Sequence, residues 1–402
     1  MADRLANMRL VLFFTRGLSL RVWDEIGILD REVALYRRLE SALRRISLVT
    51  YGDRDQDYAG RLGGLTVQCN RWRLRRPLYE RYLRTVLPWS WIGPAVVKSN
   101  QVQGADLALA AARLGRKPFV ARCGYLPSDN IERAYGEDST QGTSARALER
   151  HVFQGADRVV VTTPAIRSKI VDRYQLRPDR VRVIPNYVDT KRFAPAASDD
   201  RRPNRLLYVG RLEAEKNPRA LFDAIEGLDV ELLVVGKGSL GEELRRDARE
   251  RRLPVTFLGN VPNDDLPRLL NSSAAFVMPS LIEGHPKALL EAMACGRPVI
   301  GTLVPGIREA IADRMTGVLC EPNSAALRAA INEVLGNPDR SAAMGSAACA
   351  DVAARFSLDH VVKMEMALLE ELAADLHSPR ALTGNDVSKP PAFVKRTEAS
   401  HE

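Results

Sequence analysis

The sequence predicts an α/β fold made of two doubly wound parallel sheets, and three observations lead to it. The chain has 402 residues, enough for two domains of about 150 residues each. Short apolar runs alternate with amphipathic stretches along both halves. These runs are apolar nearly throughout, which is typical of parallel strands covered on both faces by helices. Two such series, one after the other, indicate two sheets, each with its own core.

The predicted elements follow the same alternating order in both halves. In the first half the strand candidates are Met8–Phe14, Ile46–Tyr51, Leu65–Cys69, Ala95–Ser99, Pro118–Arg122 and Arg158–Thr162. Helical stretches lie between most of them, notably Asp24–Arg44, Gly104–Leu114 and Thr140–Gln154. In the second half the strand candidates are Arg205–Val209, Val230–Val235, Val255–Leu258, Ala275–Met278, Pro298–Ile300 and Gly317–Cys320.

The domain boundary is predicted in a polar, proline-containing linker at residues 191–204. It separates a first domain at residues 1–190 from a second domain at residues 205–357. A last helix at residues 358–376 is expected to pack back on the first domain. Residues 377–402 are expected to form a disordered tail, because they are polar and lack periodicity.

The charge is concentrated in the first half. Residues 1–195 hold 34 basic and 20 acidic side chains, whereas residues 196–402 hold 25 and 30, which together give the net charge of +9. A basic half beside a mildly acidic one indicates an anionic partner, which could be phosphate, anionic lipid or nucleic acid.

The cysteines and the apolar runs predict a cytoplasmic protein. Five scattered cysteines do not form a disulfide framework and fit reduced thiols. The apolar run at residues 10–14 is too short for a secretory signal, and no run approaches the roughly eighteen apolar residues of a membrane span.

The first candidate site follows the strand that ends at Gly210, since ligands bind at the carboxyl ends of parallel strands. Arg211 lies in this loop, and Lys216 comes just before Asn217-Pro218, a typical helix start. Two cations near a helix N-terminus suit a diphosphate. The alternative is that both cations only pair with Glu213 and Glu215 on a solvated loop.

The second candidate site lies in the sequence FVMPSLIEGHPKALLEAMACG at residues 276–296. Glu283 precedes a helix predicted from Pro286, and Gly284 permits close backbone approach. Glu291 lies about one and a half turns into that helix, where a carboxylate could accept hydrogen bonds from two neighbouring sugar hydroxyls. The alternative, an incidental surface glutamate on an amphipathic helix, is weakened by the small residues that crowd this helix.

A third loop holds Gly17 after the first strand, where the backbone could approach a phosphate or sugar. No G-x-G-x-x-G sequence occurs in this turn, which argues against a dinucleotide dehydrogenase. Asp53, Asp55 and Asp57 lack the glycine and the twelfth-position glutamate of a calcium loop. The sequence also lacks Walker A, G-x-S-x-G and paired C-x-x-C patterns, and its five histidines are dispersed, so no metal site is predicted.

A basic, aromatic segment at residues 71–87 has two interpretations. Residues 70–91 contain six arginines, one acid and several tryptophans and tyrosines. From Pro77, the apolar positions 78, 79, 82, 83, 86 and 87 are predicted to share one helical face. The segment therefore fits either an interfacial anchor on anionic lipid or a helix that covers the first sheet with a solvated arginine face. Nucleic acid is less favoured, because no binding module accompanies the charge.

Three stretches resemble one known family. The run EGHPKALLEAMACGRPVI at residues 283–300, followed by PGIRE at 305–309, resembles the E-x7-E signature of the retaining glycosyltransferases of family 4. GRLEAEKNP at 210–218 resembles their diphosphate-binding loop, and IPNYVD at 184–189, continuing to Phe193, resembles their usual passage between domains. The resemblance covers nearly all of residues 8–370 and implies the GT-B architecture, two Rossmann-like domains facing across a cleft.

The resemblance also implies roles for individual residues. Arg211 and Lys216 would bind the donor diphosphate, and Glu291 would hold the ribose of the nucleotide. The catalytic residues would be Glu283, Arg211 and Lys216. Other donor contacts would come from Gly17, Gly284, His285, Pro286 and Lys287. Many members carry His-Gly after the strand that here ends at Arg122. This chain has no histidine there, which leaves Arg122 and Tyr125 as acceptor-side candidates.

The implied activity is retaining transfer of a sugar from a nucleotide-diphosphate-sugar to a glycan or lipid-linked acceptor. It would need no metal or other cofactor, would not involve nucleic acid, and would serve cell-surface polysaccharide or glycolipid synthesis, in the cytoplasm or on the inner face of the membrane. One alternative is a nucleotide-sugar 2-epimerase of the same fold, which would turn over the donor alone. Another is a degenerate scaffold, which would be expected to have lost one of the four charged site residues, yet all four are present.

Overall fold

The computed structural model of the protein describes residues 5–196 and 201–376. It consists of two α/β domains, each built on one parallel sheet with apolar cores on both faces. The α/β fold class with two doubly wound sheets is therefore confirmed. The predicted tail at residues 377–402 and part of the predicted linker lie outside the described residues.

The described residues of the first domain form seven strands and seven α-helices. Its strands are β1 (Arg9–Phe13), β2 (Arg45–Val49), β3 (Thr66–Gln68), β4 (Ala95–Ser99), β5 (Phe119–Cys123), β6 (Arg158–Val161) and β7 (Val181–Val183). Its helices are α1 (Leu20–Glu25), α2 (Leu29–Leu39), α3 (Arg76–Thr85), α4 (Ala105–Leu114), α5 (Pro127–Tyr135), α6 (Thr140–Gly155) and α7 (Pro164–Tyr174).

The described residues of the second domain form six strands, and a long helix follows them at the end of the described chain. Its strands are β8 (Arg202–Val209), β9 (Glu231–Val235), β10 (Val255–Gly259), β11 (Ser273–Met278), β12 (Val299–Thr302) and β13 (Val318–Cys320). The helices are α8 (Pro218–Ile225), α9 (Gly241–Glu250), α10 (Leu266–Asn271), α11 (Lys287–Ala294), α12 (Pro305–Arg308), α13 (Ser324–Leu335), α14 (Pro338–Arg355) and α15 (Leu358–Leu376).

The strand orders decide where ligands can bind. The first sheet runs β3-β2-β1-β4-β5-β6-β7 and the second runs β10-β9-β8-β11-β12-β13, with every pair parallel. The order reverses between β1 and β4 in the first sheet and between β8 and β11 in the second. Loops that leave neighbouring strands in opposite directions open a crevice at this point.

One local prediction was wrong, and one strand was missed. The helix expected over residues 24–44 is divided into α1 and α2 at Gly27, whose φ of 76° ends the first helix in the left-handed region. The three-residue strand β7 was not predicted, because a strand this short carries too little alternation to be recognised.

Helix α15 returns from the second domain to the first. Its apolar side chains Leu358, Val361, Leu368 and Leu372 belong to the same buried cluster as Leu10 of β1. Lys98 of β4 and Glu365 of α15 form a buried ion pair at 2.5 Å. The last helix thus completes one face of the first sheet, and the chain crosses between the domains twice.

Candidate active site in the interdomain cleft

The two loops at the crevice of the second sheet bring a lysine and a glutamate together. Lys216 follows β8 and Glu283 follows β11, and their Nζ and Oε1 atoms lie 2.6 Å apart. Ser280 also donates a hydrogen bond to Glu283 Oε1, at 2.8 Å. Because β8 and β11 are neighbours at the point where the strand order reverses, this contact follows from the topology.

Asn217 holds the loop that carries Lys216 through side-chain hydrogen bonds other than the helix cap that the sequence predicted. The residue precedes α8, as predicted, but its side chain makes no capping hydrogen bond and its φ is 53°. Its Nδ2 atom instead donates to the carbonyl oxygens of Pro279 and Pro322, at 3.1 and 3.2 Å. Asn217 therefore ties the loop after β8 to the start of the loop that carries Glu283.

Arg211 pairs with a glutamate of its own solvated loop, which is the alternative that the sequence left open. Its Nη2 atom lies 2.7 Å from Glu215 Oε1, and the side chain is exposed. Glu213 is held elsewhere, by the backbone N–H and the hydroxyl of Ser239. Lys216 differs from this pattern, since its carboxylate partner is Glu283 of the other loop.

Glu291 is buried on the side of α11 that faces the first domain. Its Oε1 atom accepts hydrogen bonds from Asn263 Nδ2 at 3.1 Å and from Arg31 Nη1 at 3.3 Å. Asn263 follows β10 in the second domain, whereas Arg31 belongs to α2 of the first domain. The backbone N–H of Asn263 also donates to Gly27 O, at 3.3 Å. The two domains are therefore in direct contact at this carboxylate.

The loop between the two glutamates packs closely on the first domain. A Cβ atom added at Gly284 would lie 2.4 Å from Gly124 O, so only glycine fits there. The predicted close approach at Gly284 is thus made by protein backbone of the other domain. Pro286 takes the N-cap position, one residue before the helical start at Lys287.

His285 is a buried residue of the domain interface. Its Nδ1 atom accepts a hydrogen bond from Asn186 N at 3.1 Å, and its ring packs edge-on against Phe356. Burial, together with Arg355 and Arg122, lowers the pKa of His285 to about 3. The imidazole is therefore neutral at physiological pH.

Arg122 belongs to the same hydrogen-bonded group. Its Nη2 atom donates to Asn186 Oδ1 at 2.7 Å, and Asn186 Nδ2 donates to His285 O at 2.6 Å. Asn186 lies in the segment that connects the domains. The chain from Arg122 through Asn186 to His285 therefore joins the end of β5 to the loop that carries Glu283.

Lys287 pairs with a carboxylate of the first domain. Its Nζ atom lies 2.6 Å from Glu32 Oε1 and 5.1 Å from the centre of the Tyr187 ring. Burial lowers the pKa of Lys287 to about 8. Burial alone would raise the pKa of Glu32, but Lys287 and Arg31 lower it to about 2. Lys287 and Glu32 are consequently both ionised between about pH 2 and pH 8.

Gly17 and Tyr125 lie at the carboxyl ends of the first sheet. Gly17 has a φ of 82°, and apart from its chain neighbours no described atom lies within 4 Å of a Cβ added there, so the space beside its backbone is open on that side. Tyr125 is 40% exposed, and its Cβ atom would lie 3.3 Å from a Cβ added at Gly284. Tyr125 therefore stands beside the donor-side loop, at the mouth of the cleft.

The sequence reasoning missed several polar residues of this site. Asn263 follows β10, so its place after a strand end could have indicated it. Arg31 and Glu32 lie within α2, where no sequence signal distinguishes them from other charged helix residues. Their position at the cleft follows only from how the two domains meet.

Comparison with known proteins agrees with this geometry. The profile of Glycosyltransferase Family 4 matches residues 33–192, and the profile of Glycosyl transferases group 1 matches residues 189–350. Glycogen synthase of Mycobacterium tuberculosis is 31% identical over 286 residues, which cover 68% of this chain and 67% of that protein. The chain belongs to the family 4 glycosyltransferases.

Further relatives and solved structures support the family and the fold of this glycosyltransferase. D-inositol 3-phosphate glycosyltransferase of Salinispora tropica is 30% identical over 259 residues, covering 56% of this chain and 53% of that protein. The crystal structure of Anabaena HepE in complex with UDP and glucose superposes with a TM-score of 0.74 and 18% identity, covering 90% and 100% of the two chains. Sucrose-phosphate synthase of Thermosynechococcus elongatus superposes with a TM-score of 0.74 and 21% identity, covering 91% of this chain and 99% of that chain. The GT-B architecture is therefore confirmed.

The described residues of this glycosyltransferase contain neither a candidate metal cluster nor a candidate membrane-spanning helix. Within residues 5–196 and 201–376, no three histidine, cysteine, aspartate or glutamate side chains converge on a common point that could hold a metal ion. No helix in the same ranges is both long and apolar enough to traverse a bilayer.

Proposed function

We propose that this glycosyltransferase moves a sugar from a nucleotide-diphosphate-sugar to a glycan or lipid-linked acceptor, with retention of anomeric configuration and without a metal. The observation that carries the proposal is the 2.6 Å contact between Lys216 and Glu283. It gathers a cation for the diphosphate and a carboxylate for the sugar at the crevice of the second sheet. The nearby Glu291 would hold the ribose hydroxyls in place of its present protein donors.

The charges at the site suit the bond that must break. Departure of the nucleoside diphosphate places negative charge on its terminal phosphate oxygen, and fixed cations aimed at that oxygen stabilise the transition state. Lys216 is the better placed cation, because it is half-buried and bridges two loops, whereas Arg211 is exposed and must leave Glu215 to contribute. Backbone N–H groups at the start of α11 add partial positive charge.

The proposed transfer proceeds on one face of the sugar. The bond between the anomeric carbon and the diphosphate oxygen breaks as the acceptor oxygen bonds to the same face of that carbon. The acceptor proton passes to the departing phosphate oxygen. The sugar is oxocarbenium-like at this stage, and Glu283 stabilises its positive charge without forming a covalent bond to it.

We propose a cytoplasmic location, on the inner face of the cell membrane, in cell-surface polysaccharide or glycolipid synthesis. The basic first half of the chain supports this location, since anionic lipid attracts such a surface. Tyr125 and Arg122 are the proposed acceptor-side residues. Tyr125 has the stronger support because it is exposed at the cleft mouth, while Arg122 is engaged with Asn186.

A donor screen tests the proposal. UDP-glucose is the first donor to examine, since HepE was solved with UDP and glucose, followed by GDP- and ADP-sugars. We expect one donor to raise the thermal unfolding temperature and to be slowly hydrolysed, with both effects lost in Glu291→Ala. An epimerised sugar released without acceptor would instead support the epimerase, and no stabilisation by any donor, with or without lipid, would support a scaffold.

A further inference from the structure

The segment from Arg71 to Ile92, here called the 71–92 flank, exposes an unusual amount of apolar surface. Five large apolar side chains of this flank are exposed to solvent: Trp72 (50%), Leu78 (54%), Val86 (54%), Trp89 (73%) and Ile92 (78%). A soluble surface normally carries such side chains singly, and a contiguous group of them marks an interaction site.

The structure corrects the predicted apolar face of α3. Tyr79, Leu83 and Leu87 are buried against the first sheet, but Leu78 and Val86, which the sequence placed on the same face, point to solvent. One side of the helix thus covers the sheet, as one of the two interpretations predicted, and the other side presents apolar groups to solvent. The most exposed groups, Trp89 and Ile92, lie beyond the helix.

Six arginines lie in the same segment as this apolar surface. Arg73 pairs with Asp53 and Arg76 pairs with Glu80. Within the described part of the chain, the four other arginines of the flank form no ion pair with a carboxylate: Arg71, Arg75, Arg81 and Arg84. Arg71 stacks over the Trp72 ring, at 4.6 Å from its centre.

A second group of cations adjoins the end of the flank at Ile92. Lys117 Nζ donates to Gly93 O at 2.7 Å, and a Cβ added at Gly93 would lie 4.0 Å from Arg44 Nη1. Burial and the neighbouring Arg44 and Arg45 lower the pKa of Arg9, and burial and Arg9 lower that of Lys117. These cations form a second positively charged group at this end of the flank, which adds to its attraction for an anionic surface.

We propose that the 71–92 flank docks on an anionic lipid bilayer, with Trp89 and Ile92 inserted among the acyl chains and the arginines on the lipid headgroups. Tryptophan prefers the membrane interface, and arginines within a Debye length of it are attracted by anionic lipid. Nucleic acid and a second copy of this chain fit less well. Binding of nucleic acid would not require the exposed apolar side chains of the flank. A second copy of this chain would bring the arginines of two flanks together, and like charges repel.

The orientation of the flank gives the docking a consequence. The Tyr79 hydroxyl donates to Thr50 O, just after β2, at the cleft edge of the sheet. Pro94 O accepts from Arg9 N at the opposite edge. The flank therefore runs the full height of the sheet, and Arg16, beside Gly17, reaches Glu80 of α3 at 3.3 Å. Docking along the whole flank, from Arg71 to Ile92, would lay this side of the first domain on the bilayer and bring the cleft rim at Gly17 beside it, where a lipid-linked acceptor would lie. This consequence rests on the proposed function, but the docking does not.

Vesicle co-sedimentation of the full chain tests the docking. We expect the wild-type protein to sediment with vesicles of phosphatidylcholine and phosphatidylglycerol, and not with vesicles of phosphatidylcholine alone. Sedimentation should decrease at 0.5 M salt, about three times the physiological ionic strength, because salt screens the attraction between the arginines and the lipid. Two sets of substitutions probe the flank: Trp89→Ser with Ile92→Ser, and Arg71, Arg75, Arg81 and Arg84 to Ser. Each set of substitutions should reduce partitioning into the vesicles by about tenfold or more. Each lost arginine weakens attraction to anionic lipid several-fold, and the lost apolar side chains no longer insert among the acyl chains.

The control removes four exposed arginines of the second domain, Arg219, Arg249, Arg314 and Arg340, and should leave partitioning unchanged. Donor hydrolysis without lipid should be the same in all variants, which separates this test from that of the transfer reaction. Equal partitioning of the flank and control variants would overturn the proposal. So would a wild-type dimer in analytical ultracentrifugation that Trp89→Ser with Ile92→Ser converts to a monomer.

Discussion

Arg31 of the first domain lies 3.3 Å from the Oε1 atom of Glu291 in the second domain. The two residues are 260 positions apart, and Glu291 is only 2% exposed. The carboxylate proposed to hold the donor ribose is therefore already bound by a side chain of the other domain. A donor must compete with this contact, which links donor binding to the separation of the domains.

The first prediction concerns this competition. Arg31→Ala should tighten binding of the nucleoside diphosphate by about three- to tenfold, because one charged hydrogen bond no longer has to be exchanged. Isothermal titration measures the change. The control is Arg177→Ala, which removes an exposed arginine that pairs with Asp179 just before β7, at the edge of the first sheet opposite the cleft. Unchanged or weaker binding by Arg31→Ala would show that Arg31 does not compete with the donor.

The second prediction concerns the cation that bridges the two loops. Lys216→Ala should lower kcat by about 10²- to 10³-fold, as for loss of one preorganised donor in a transition state, while thermal stability changes little. Steady-state kinetics with the donor found in the screen measures this. Arg219→Ala, three residues further along at the start of α8, removes an exposed cation that pairs with Glu243 and should retain full activity. Equal loss in both variants would contradict the assignment of Lys216.

The sequence located those parts of the site that depend on strand ends. Lys216 and Glu283 were predicted because each follows an apolar run, and in a parallel sheet all such loops lie on one edge. Arg31, Glu32 and the exposed orientation of Leu78 could not be predicted, because each depends on which surfaces the two domains and the helices present to one another. Periodicity gives the spacing of a helical face but not which part of it is covered.

The third prediction concerns acid sensitivity. The folded state lowers the pKa of His285 to about 3, whereas an unfolded imidazole titrates near its ordinary value of about 6.5. Between these pH values the unfolded chain binds a proton that the folded chain does not, so the free energy of unfolding falls as the pH falls, by up to about 1.4 kcal/mol per pH unit. His285→Asn should flatten this slope, because the asparagine side chain does not titrate. Its oxygen can still accept the hydrogen bond from Asn186 N.

Chemical denaturation at several pH values between 6.5 and 3 measures this slope. The control is His151→Asn, at an exposed histidine of α6, which should leave the slope unchanged. An unaltered slope in His285→Asn would mean that other groups account for the acid sensitivity.

The fourth prediction concerns the attachment of α15 to the first domain. Lys98 and Glu365 are each about 2% exposed and lie 2.5 Å apart. Removal of one partner leaves an uncompensated buried charge, so Glu365→Ala should lower the free energy of unfolding by about 3–5 kcal/mol. The double variant Lys98→Met with Glu365→Leu removes both charges and should recover most of that loss.

A surface pair between the same two elements provides the comparison. Arg38 of α2 and Asp359 of α15 also lie 2.5 Å apart, but their side chains are 45% and 51% exposed. Asp359→Asn should cost less than about 1 kcal/mol, because water solvates the remaining charge. If Glu365→Ala cost no more than Asp359→Asn, the attachment of α15 would depend on its apolar contacts with Leu10 and its neighbours, and the buried ion pair would contribute nothing measurable to it.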